Sequence, residues 1–375
     1  MGKNRRGRNE GSIYKRPDGT WRAQVSTHGK RLSFSARTKS ECQIWVNKTL
    51  GKKNKTQNDT IELETINDLL EHWLEISHLS LRSKTLYQYQ GVANKYIIPH
   101  IGDTGISNLT QDKLEVFYKK LIDNGVGVRT VRLTHSILHR CLVKAIRYGL
   151  MHDNPAHGAT LPRLIQKDMV ALSKEQVSLF LKSAKGNYYE AFFNLSVITG
   201  LRQAELFGLK WADINWEKRS INIYRQIQRV PGEQWQFIEP KTRAGRRTII
   251  LGSDVIDLLR EHKGNQEKYR EIAGDRWKNN GLIFPNTYGN PMDPSNMRIE
   301  FNRVLNDAGL QKIRFHDLRH TAASLMLNHG VPLLVISRIL GHSKPSVTLD
   351  IYGHLLTEGQ EEAANFMNSL LGKSQ

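Results

Sequence analysis

The apolar residues of this chain change their spacing near residue 60, and no single type of element accommodates both patterns. Before that point, three short segments alternate apolar and polar residues, as strands with one buried face do. After it, apolar residues recur every three or four positions, which is typical of amphipathic helices. The sequence therefore predicts an α+β, mainly α protein in which a small N-terminal sheet precedes a helical domain.

The first domain is predicted to span residues 1–58. Strands are expected at Ser12–Lys15, Trp21–Val25 and Arg31–Ser35, because turn-forming residues separate these three segments. Ser40 is predicted to be the N-cap of a following helix. The polar segment Asn54–Asp59 indicates a linker. The domain is thus expected to be a three-stranded sheet packed on one helix.

Positive charge is concentrated in the same segment. The whole chain has a net charge of +19, and residues 1–55 hold fifteen Lys or Arg against three Asp or Glu, so this segment carries twelve of the nineteen charges. Such a surface attracts polyphosphates, although a solvated tail or a localisation patch would have the same composition. The predicted DNA-binding residues here are Lys3, Arg5, Arg6, Arg8, Lys15, Arg16, Arg22 and Arg31.

Two further domains are expected after the first linker. Residues 61–154 predict a helical bundle in which Pro99 and the stretch Gly102–Gly105 separate helices. Residues 155–171 contain prolines and glycine with little periodicity, which indicates an interdomain linker. The last domain, residues 172–375, opens on a capping box in which Ser173 is the N-cap and Gln176 is the reciprocal residue.

The last domain is predicted to be mixed but mainly helical. Strands are expected at Ser220–Ile227, Trp235–Glu239 and Arg247–Leu251. Tyr352 follows a short predicted helix, where its side chain is expected to be mobile. The tail segment Glu361–Leu371 has apolar residues on one side of a final helix (Ala364, Met367, Leu370 and Leu371).

Chemically distinctive side chains of the last domain occur in short motifs, among them H-D-L-R-H from His316 to His320. Phosphate is the group that suits this mixture: guanidinium groups match its oxygens, imidazoles exchange protons near neutral pH, and a phenol can act as a nucleophile. Each of these residue types alone usually has a structural role. The candidate catalytic residues are Arg202, Lys241, His316, Arg319, His342 and Tyr352.

This ordered set resembles the active site of the tyrosine recombinases, the integrase family of DNA strand-exchange enzymes, and matches it at all six positions. It is similar to the integrases of Gram-positive phages and conjugative transposons. The basic N-terminal segment resembles the arm-type DNA-binding domain of such integrases, and residues 61–154 resemble their helical, SAM-like core-binding domain. The resemblance implies a catalytic domain of the DNA breaking-rejoining type and site-specific recombination through a 3′-phosphotyrosyl intermediate.

The resemblance also implies a role for each residue. Tyr352 would be the nucleophile, while Arg202 and Arg319 would hold the nonbridging oxygens. Lys241 would protonate the leaving 5′ oxygen. His316 would assist proton movement at the nucleophile, and His342 would hydrogen-bond the phosphate. Supporting roles are expected for Glu205 and His320, and Arg243, Arg246 and Arg247 are expected to be DNA-backbone contacts or solvated charges.

The expected partners are double-stranded DNA attachment sites and three further copies of the chain, with an excisionase and a DNA-bending host protein as additional candidates. No cofactor is expected. His316 and His320 have the spacing of a zinc site, but Asp317 replaces the usual glutamate and Arg319 opposes a cation. Two cysteines and no membrane-length apolar run fit a bacterial cytoplasm. A type IB topoisomerase and a non-catalytic DNA-binding regulator are the alternatives.

Overall fold

The computed structural model describes residues 12–27, 30–49, 63–165, 169–240, 242–353 and 359–370. The chain divides into two compact units, residues 1–64 and 65–375. The further division of the second unit into a core-binding and a catalytic domain stays a prediction. The linker predicted at Asn54–Asp59 lies outside the described residues.

The N-terminal unit is a three-stranded antiparallel sheet covered by one helix, as predicted. Strands β1 (Ser12–Lys15), β2 (Trp21–Thr27) and β3 (Lys30–Ala36) form a meander, and helix α1 (Lys39–Thr49) follows. The predicted N-cap at Ser40 is wrong, because the helix begins one residue earlier. The Thr38 hydroxyl accepts the Glu41 backbone N–H at 3.3 Å, so Thr38 occupies the capping position.

The two faces of this sheet differ in polarity. On one face Ala23 and Val25 are buried with Cys42 and Val46 of α1. Because side chains alternate along a strand, the neighbouring residues of β2 lie on the opposite face. There Arg22 donates to the Ser33 hydroxyl at 3.0 Å, and Arg31 donates to Gln24 at 2.7 Å. Tyr14, which pairs with Arg22 across the strands, lies on the same polar face.

The second unit begins with a helical segment, α2 (Ile66–Ser77), α3 (Ser83–Val92), α4 (Ile98–Ile101), α5 (Gln111–Asp123) and α6 (Val128–Arg147). Its core contains the apolar stripes predicted from the sequence. Buried members include Leu69, Leu70, Leu114, Phe117 and Leu138.

Pro99 does not separate helices, contrary to prediction. A π-helical turn, Ala93–Ile97, joins α3 to α4 without a break, and the Ile98 N–H donates to the carbonyl of Ala93, five residues back. Proline lacks an N–H and crowds the preceding turn. A π-turn widens the backbone just before Pro99, so the chain continues as a helix until Gly102.

No helix or strand occurs in the described residues between Tyr148 and Ser173. Helix α7 (Lys174–Ser183) then starts with the predicted capping box, since the Ser173 and Gln176 side chains each bond to the other's backbone N–H. Helix α8 (Glu190–Thr199) is capped by Gly200, which has φ +60°. Helix α9 (Gln203–Phe207) follows after three residues.

The strand region of this unit forms two sheets. Strands β4 (Ile214–Asn215), β5 (Ser220–Ile223) and β8 (Arg247–Ile250) form one antiparallel sheet, while β6 (Gln226–Gln228) and β7 (Gln236–Ile238) form the other.

The continuous strand predicted at Ser220–Ile227 is therefore wrong. The chain leaves the first sheet at Tyr224 and Arg225 and enters the second at Gln226. The Arg225 guanidinium pairs with the buried carboxylate of Asp213 at 2.7 Å. This ion pair fixes Arg225 at the break between β5 and β6.

Helices form the rest of the unit: α10 (Ser253–Ala273), α11 (Pro294–Asp307), α12 (Asp317–Asn328), α13 (Leu333–Leu340), α14 (Pro345–Tyr352) and α15 (Gly359–Leu370). Helix α12 packs against α8. Beside them, Phe192 stacks on Phe207 and meets Phe284 edge-on, each with ring centroids 5.2 Å apart. This aromatic core fixes the helix ends that carry the candidate site.

Candidate active site

The ends of four elements carry the predicted catalytic residues that the structure describes. Arg202 is the N-cap of α9, and Tyr352 is the last residue of α14. His316 is the N-cap of α12, and Arg319 lies in its first turn. His342 follows the glycine that ends α13. Lys241 lies outside the described residues.

Arg319 is a buried cation held by carbonyl groups. Its side chain donates to the Gly200 carbonyl and to the Leu340 carbonyl, each at 2.8 Å, where α8 and α13 end. The residue is 4% exposed and makes no ion pair among the described residues. Burial and, secondarily, the charge of Arg202 lower the pKa of Arg319 to about 9, so it keeps its charge at neutral pH. A desolvated cation without a carboxylate partner is suited to bind an anion.

Glycine is required where Arg319 contacts the end of α8. A Cβ at Gly200 would lie 2.7 Å from Leu340 Cδ2 and 3.2 Å from Ala322 Cβ. The positive φ at this residue also disfavours a side chain. The absence of a side chain therefore lets α8, α12 and α13 approach closely around the guanidinium.

Glu205 orients Arg202. Its carboxylate accepts the Arg202 backbone N–H at 2.9 Å and the Arg202 guanidinium at 3.0 Å. The other guanidinium nitrogen of Arg202 lies 3.4 Å from the Gly341 carbonyl. These contacts bring Arg202 to the end of α13, where Arg319 is also anchored.

Arg247 completes the pairing of Glu205. Both of its terminal nitrogens donate to the carboxylate, at 3.0 and 3.2 Å, and its Nε donates to the Ile339 carbonyl at 2.6 Å. The side chains of Arg247 and Glu205 are 6% and 2% exposed. Burial alone would raise the pKa of Glu205, but the hydrogen bonds and charge of Arg247, with the charge of Arg202, hold it below its ordinary value.

The predicted DNA-backbone contact by Arg247 does not fit this burial. Its guanidinium is already occupied by Glu205 and by backbone carbonyls, so it lies inside the fold and positions other groups. In the sequence Arg247 lies close to Arg243 and Arg246, which are both exposed in the structure. The sequence of such a cluster does not show which arginine side chain is buried.

A cavity of about 380 Å³ opens beside Arg202. Pro240 and Thr242, which flank Lys241 in the sequence, line it together with Gln226 and Gly341. A phosphate group in this cavity would be next to the Arg202 guanidinium.

The two predicted catalytic imidazoles are neutral at pH 7. Burial, followed by the charges of nearby arginines, lowers the pKa of His342 to about 4. Burial, followed by His320 and Arg319, lowers the pKa of His316 to about 4. His342 Nδ1 lies 2.7 Å from the hydroxyl of Thr348, a buried residue whose role the sequence analysis missed. This contact fixes the orientation of the His342 ring.

Tyr352 is buried, although its position after a short helix predicted a mobile side chain. It is 2% exposed and packs with Ala323, Ile336 and Leu340. Its hydroxyl lies 2.7 Å from Nδ1 of His320. Burial raises the pKa of Tyr352 to about 12, although the charge of Arg319 opposes the shift. The phenol is therefore protonated at neutral pH.

A second residue that the sequence analysis missed supports α12 at this point. Arg314 donates from its backbone and its guanidinium to the buried Asp317 carboxylate, the shortest of these bonds being 2.7 Å. Asp317 belongs to the H-D-L-R-H motif, where it was considered only as a possible replacement for a metal-site glutamate. Its ion pair instead fixes the first turn of the helix that presents His316, Arg319 and His320.

Comparison with protein families identifies the chain. The model of the phage integrase family matches residues 170–358, and the model of the N-terminal SAM-like domain of phage integrases matches residues 65–122. The chain belongs to the phage integrase family. The integrase is accordingly a tyrosine recombinase, an enzyme class that cleaves and rejoins DNA, and the resemblance inferred from its motifs is confirmed.

Individual relatives agree with this assignment. A tyrosine recombinase XerC-like protein from Caldanaerobacter subterraneus subsp. tengcongensis is 30% identical and covers 91% of this chain and 92% of its own length. The ICEBs1 integrase of Bacillus subtilis is 26% identical over 76% of this chain and 78% of its own. Neither the topoisomerase nor the non-catalytic alternative is favoured.

Solved structures share the fold. The Tn1549 transposon integrase in complex with a circular intermediate DNA has a TM-score of 0.71 at 19% identity, covering 81% of this chain and 100% of that one. A lambda integrase tetramer bound to a Holliday junction has a TM-score of 0.58 at 20% identity, covering 89% and 96%. The mainly helical fold class predicted from the sequence is confirmed.

The DNA-binding residues predicted outside the catalytic set stay predictions. Lys3, Arg5, Arg6 and Arg8 lie outside the described residues. Lys15 and Arg31 are exposed, whereas Arg16 and Arg22 are half-buried. Exposed Arg246 pairs with Glu239 at 2.5 Å, and Arg243 is exposed.

No three His, Cys, Asp or Glu side chains in the described ranges are placed to share a metal ion. Within the same ranges, no helix is long and apolar enough to cross a membrane.

The buried and the exposed arginine at the start of β8 should respond differently to substitution. Arg247→Met leaves Glu205 buried with one partner fewer, and we expect it to lower the free energy of unfolding by about 3–5 kcal/mol. Arg246→Met, which breaks an exposed pair, should cost at most about 1 kcal/mol. Urea denaturation of both variants measures the difference. Equal stabilities would contradict the assigned role of Arg247.

Proposed function

We propose that this integrase performs site-specific recombination with Tyr352 as nucleophile, integrating and excising a mobile element. The observation that carries the proposal is the buried Arg319, which has no carboxylate partner in the described chain and lies with Arg202 at the end of α13. A scissile phosphate would supply the missing negative charge. Attack by Tyr352 on that phosphate would form a 3′-phosphotyrosyl bond and release a 5′ hydroxyl.

Each side chain has a chemical role in this step. Arg202 and Arg319 would neutralise charge that develops on the nonbridging oxygens. Neutral His342, oriented by Thr348, would donate a further hydrogen bond to the phosphate. Lys241, which the sequence places between two residues of the cavity wall, would protonate the leaving oxygen. Because the covalent bond conserves the energy of the phosphodiester, rejoining needs neither ATP nor a metal ion.

The nucleophile is tested by Tyr352→Phe. The substitution removes the attacking oxygen and preserves the ring that packs against Leu340, so we expect no covalent protein–DNA adduct and nearly unchanged DNA binding. Adduct formation on a nicked suicide substrate is measured by denaturing gel, and binding by gel shift. A matched control is Tyr224→Phe, which removes the hydroxyl of a more exposed tyrosine outside the site. An adduct in the Tyr352→Phe variant would exclude Tyr352 as nucleophile.

The N-terminal unit is proposed to bind a second class of DNA site, away from the point of strand exchange. Its polar sheet face carries Tyr14, Arg22 and Arg31, while the opposite face is covered by α1. A three-stranded sheet can lie in the major groove with its basic side chains on phosphates. An excisionase and a DNA-bending host protein are proposed as partners that arrange the two kinds of site, in the cytoplasm of a bacterial host.

The sheet face can be tested through the salt dependence of binding. Each lost phosphate contact lowers the slope of log affinity against log salt concentration by about 1. We expect Arg31→Gln, on the polar face, to lower the slope for arm-site DNA by about that amount. Lys39→Gln, in α1 beside the Trp21 ring, should leave the slope unchanged. A lower slope for Lys39→Gln and an unchanged slope for Arg31→Gln would place the DNA on the face of the sheet that α1 covers.

Four copies are proposed to act together, because one Tyr352 cuts one strand and the exchange of two duplexes requires four cuts. Helix α15 exposes Phe366, Met367 and Leu370. These residues lie on one side of the helix, so they could dock on the catalytic domain of a neighbouring copy. Packing of α15 on its own domain is the alternative.

A charge placed on that side of α15 distinguishes the two arrangements. Met367→Glu should prevent assembly of four copies on paired sites and leave binding to one site intact. Asn368→Glu, on the opposite side of the helix, should leave both the assembly and the binding to one site intact. Native gel shifts with one and two sites measure both properties. A Met367→Glu variant that still assembles and recombines normally would exclude α15 as the connector.

A further inference from the structure

His320 contacts the atom that would attack DNA. Its Nδ1 lies 2.7 Å from the Tyr352 hydroxyl, and His320 and Tyr352 are 9% and 2% exposed. Among the described residues, no other imidazole is hydrogen-bonded to this hydroxyl. The sequence analysis gave His320 a supporting role only, and assigned proton movement at the nucleophile to His316.

The surroundings of His320 keep its ring uncharged. The His316 ring lies edge-on, with centroids 5.2 Å apart, and Arg319 and Arg314 add positive charge nearby. Burial lowers the pKa of His320, and these arginines act in the same direction, while Asp317 opposes them. A neutral ring has one unprotonated nitrogen. The phenol is protonated at neutral pH, so in the tautomer whose ring proton is on Nε2 the Tyr352 hydroxyl donates to Nδ1 across this short contact.

We propose that His320 is the catalytic group that accepts the proton of Tyr352 during strand cleavage and returns it during rejoining. This inference rests on the proposed role of Tyr352 as nucleophile. His316 has no hydrogen bond to Tyr352 in the described structure and instead packs edge-to-face with the His320 ring. In this proposal His316 acts on the phosphate and not on the nucleophile.

The proton transfers balance over the reaction. As the Tyr352 oxygen bonds to phosphorus, the bond from phosphorus to the 5′ oxygen breaks and the phenol proton moves to Nδ1 of His320. The leaving oxygen takes its proton from a separate donor, the role proposed for Lys241. In rejoining, a 5′ hydroxyl attacks the phosphotyrosyl phosphorus and gives its proton to that donor. The bond from phosphorus to Tyr352 breaks, and the phenol oxygen recovers its proton from His320.

The His320→Asn variant distinguishes two contributions of His320, which are its hydrogen bond with Tyr352 and its ability to take up the proton. The amide oxygen of asparagine occupies nearly the place of Nδ1 and can accept the Tyr352 hydrogen bond, but it cannot take up the proton. His320→Gln, with the amide set further out, is a second variant in case the first does not fold. Single-turnover cleavage of a nicked suicide substrate is measured from pH 6 to pH 9.

We expect adduct formation at pH 7 to fall at least about 100-fold in both variants, which is the usual range for loss of a general base. In the full protein the rate should rise as pH increases through the lowered pKa of His320 and then level off. In the variants it should keep rising, about tenfold per pH unit, because only the tyrosinate fraction reacts. A residue that merely supported the fold would lower the rate equally at every pH.

A substrate with sulfur in place of the leaving 5′ oxygen distinguishes proton acceptance from proton donation. A thiolate leaves without a proton, so this substrate should rescue a variant that lacks the proton donor, such as Lys241→Ala. It should not rescue His320→Asn.

Three outcomes would overturn the proposal: cleavage by His320→Asn within about threefold of the full protein, a defect that is independent of pH, or rescue by the sulfur substrate. Failure of the underlying function is separate, because the unaltered protein would then form no adduct, or Tyr352→Phe would form one.

Discussion

The buried carboxylate of Glu205 is the interaction on which the site depends. It binds Arg202 at the start of α9 and Arg247 at the start of β8, and Arg247 in turn bonds the Ile339 carbonyl in α13. Three elements that are distant in sequence are thereby held by one negative charge. Burial of that charge depends on the two guanidiniums that surround it, so loss of either partner leaves the buried carboxylate incompletely neutralised, which is destabilising.

The arginines of the site divide into two kinds because, in the part of the chain that the structure describes, Glu205 is the one carboxylate bonded to them. The charge of Arg247 is neutralised inside the protein by its ion pair with Glu205. Arg319 is equally buried but is satisfied only by the carbonyls of Gly200 and Leu340. Carbonyl dipoles satisfy its N–H groups without cancelling its charge. The fold therefore preserves a net positive charge at the place where a phosphodiester would react.

Sequence patterns predicted the features that depend on neighbouring residues. The capping box of Ser173 and Gln176 is a local signal that the structure confirms. Features that depend on distant partners were not predictable. Arg225 breaks a strand by binding Asp213, and Arg247 turns inward to reach Glu205, across 42 positions of sequence. Pro99 does not break the helix, because the π-turn that precedes it accommodates the proline. That turn has no recognisable signature in the sequence.

For the site residues, too, the sequence indicated the chemical types of the side chains but not where the fold places them. The types and order of Arg202, His316, Arg319, His342 and Tyr352 identified the family, yet they did not reveal that Tyr352 would be buried. Its burial arises from α13 and α14, whose apolar residues Ile336 and Leu340 enclose the ring. His320 could have been found from its spacing of four residues from His316, which places both rings on one side of α12.

The positive charge that suits the site to phosphate also determines when its imidazoles can take a proton. After burial, the charges of Arg319 and Arg202 are the largest contributions that lower the pKa of His342, and Arg319 acts on His316 and His320 as well. A phosphate bound between these guanidiniums would offset their charge, and by Coulomb's law the pKa of each imidazole would rise. Proton acceptance by His320 would thus become more favourable only when a scissile phosphate is in place. Binding of the substrate and activation of Tyr352 would then be coupled through Arg319, which acts on His320 directly.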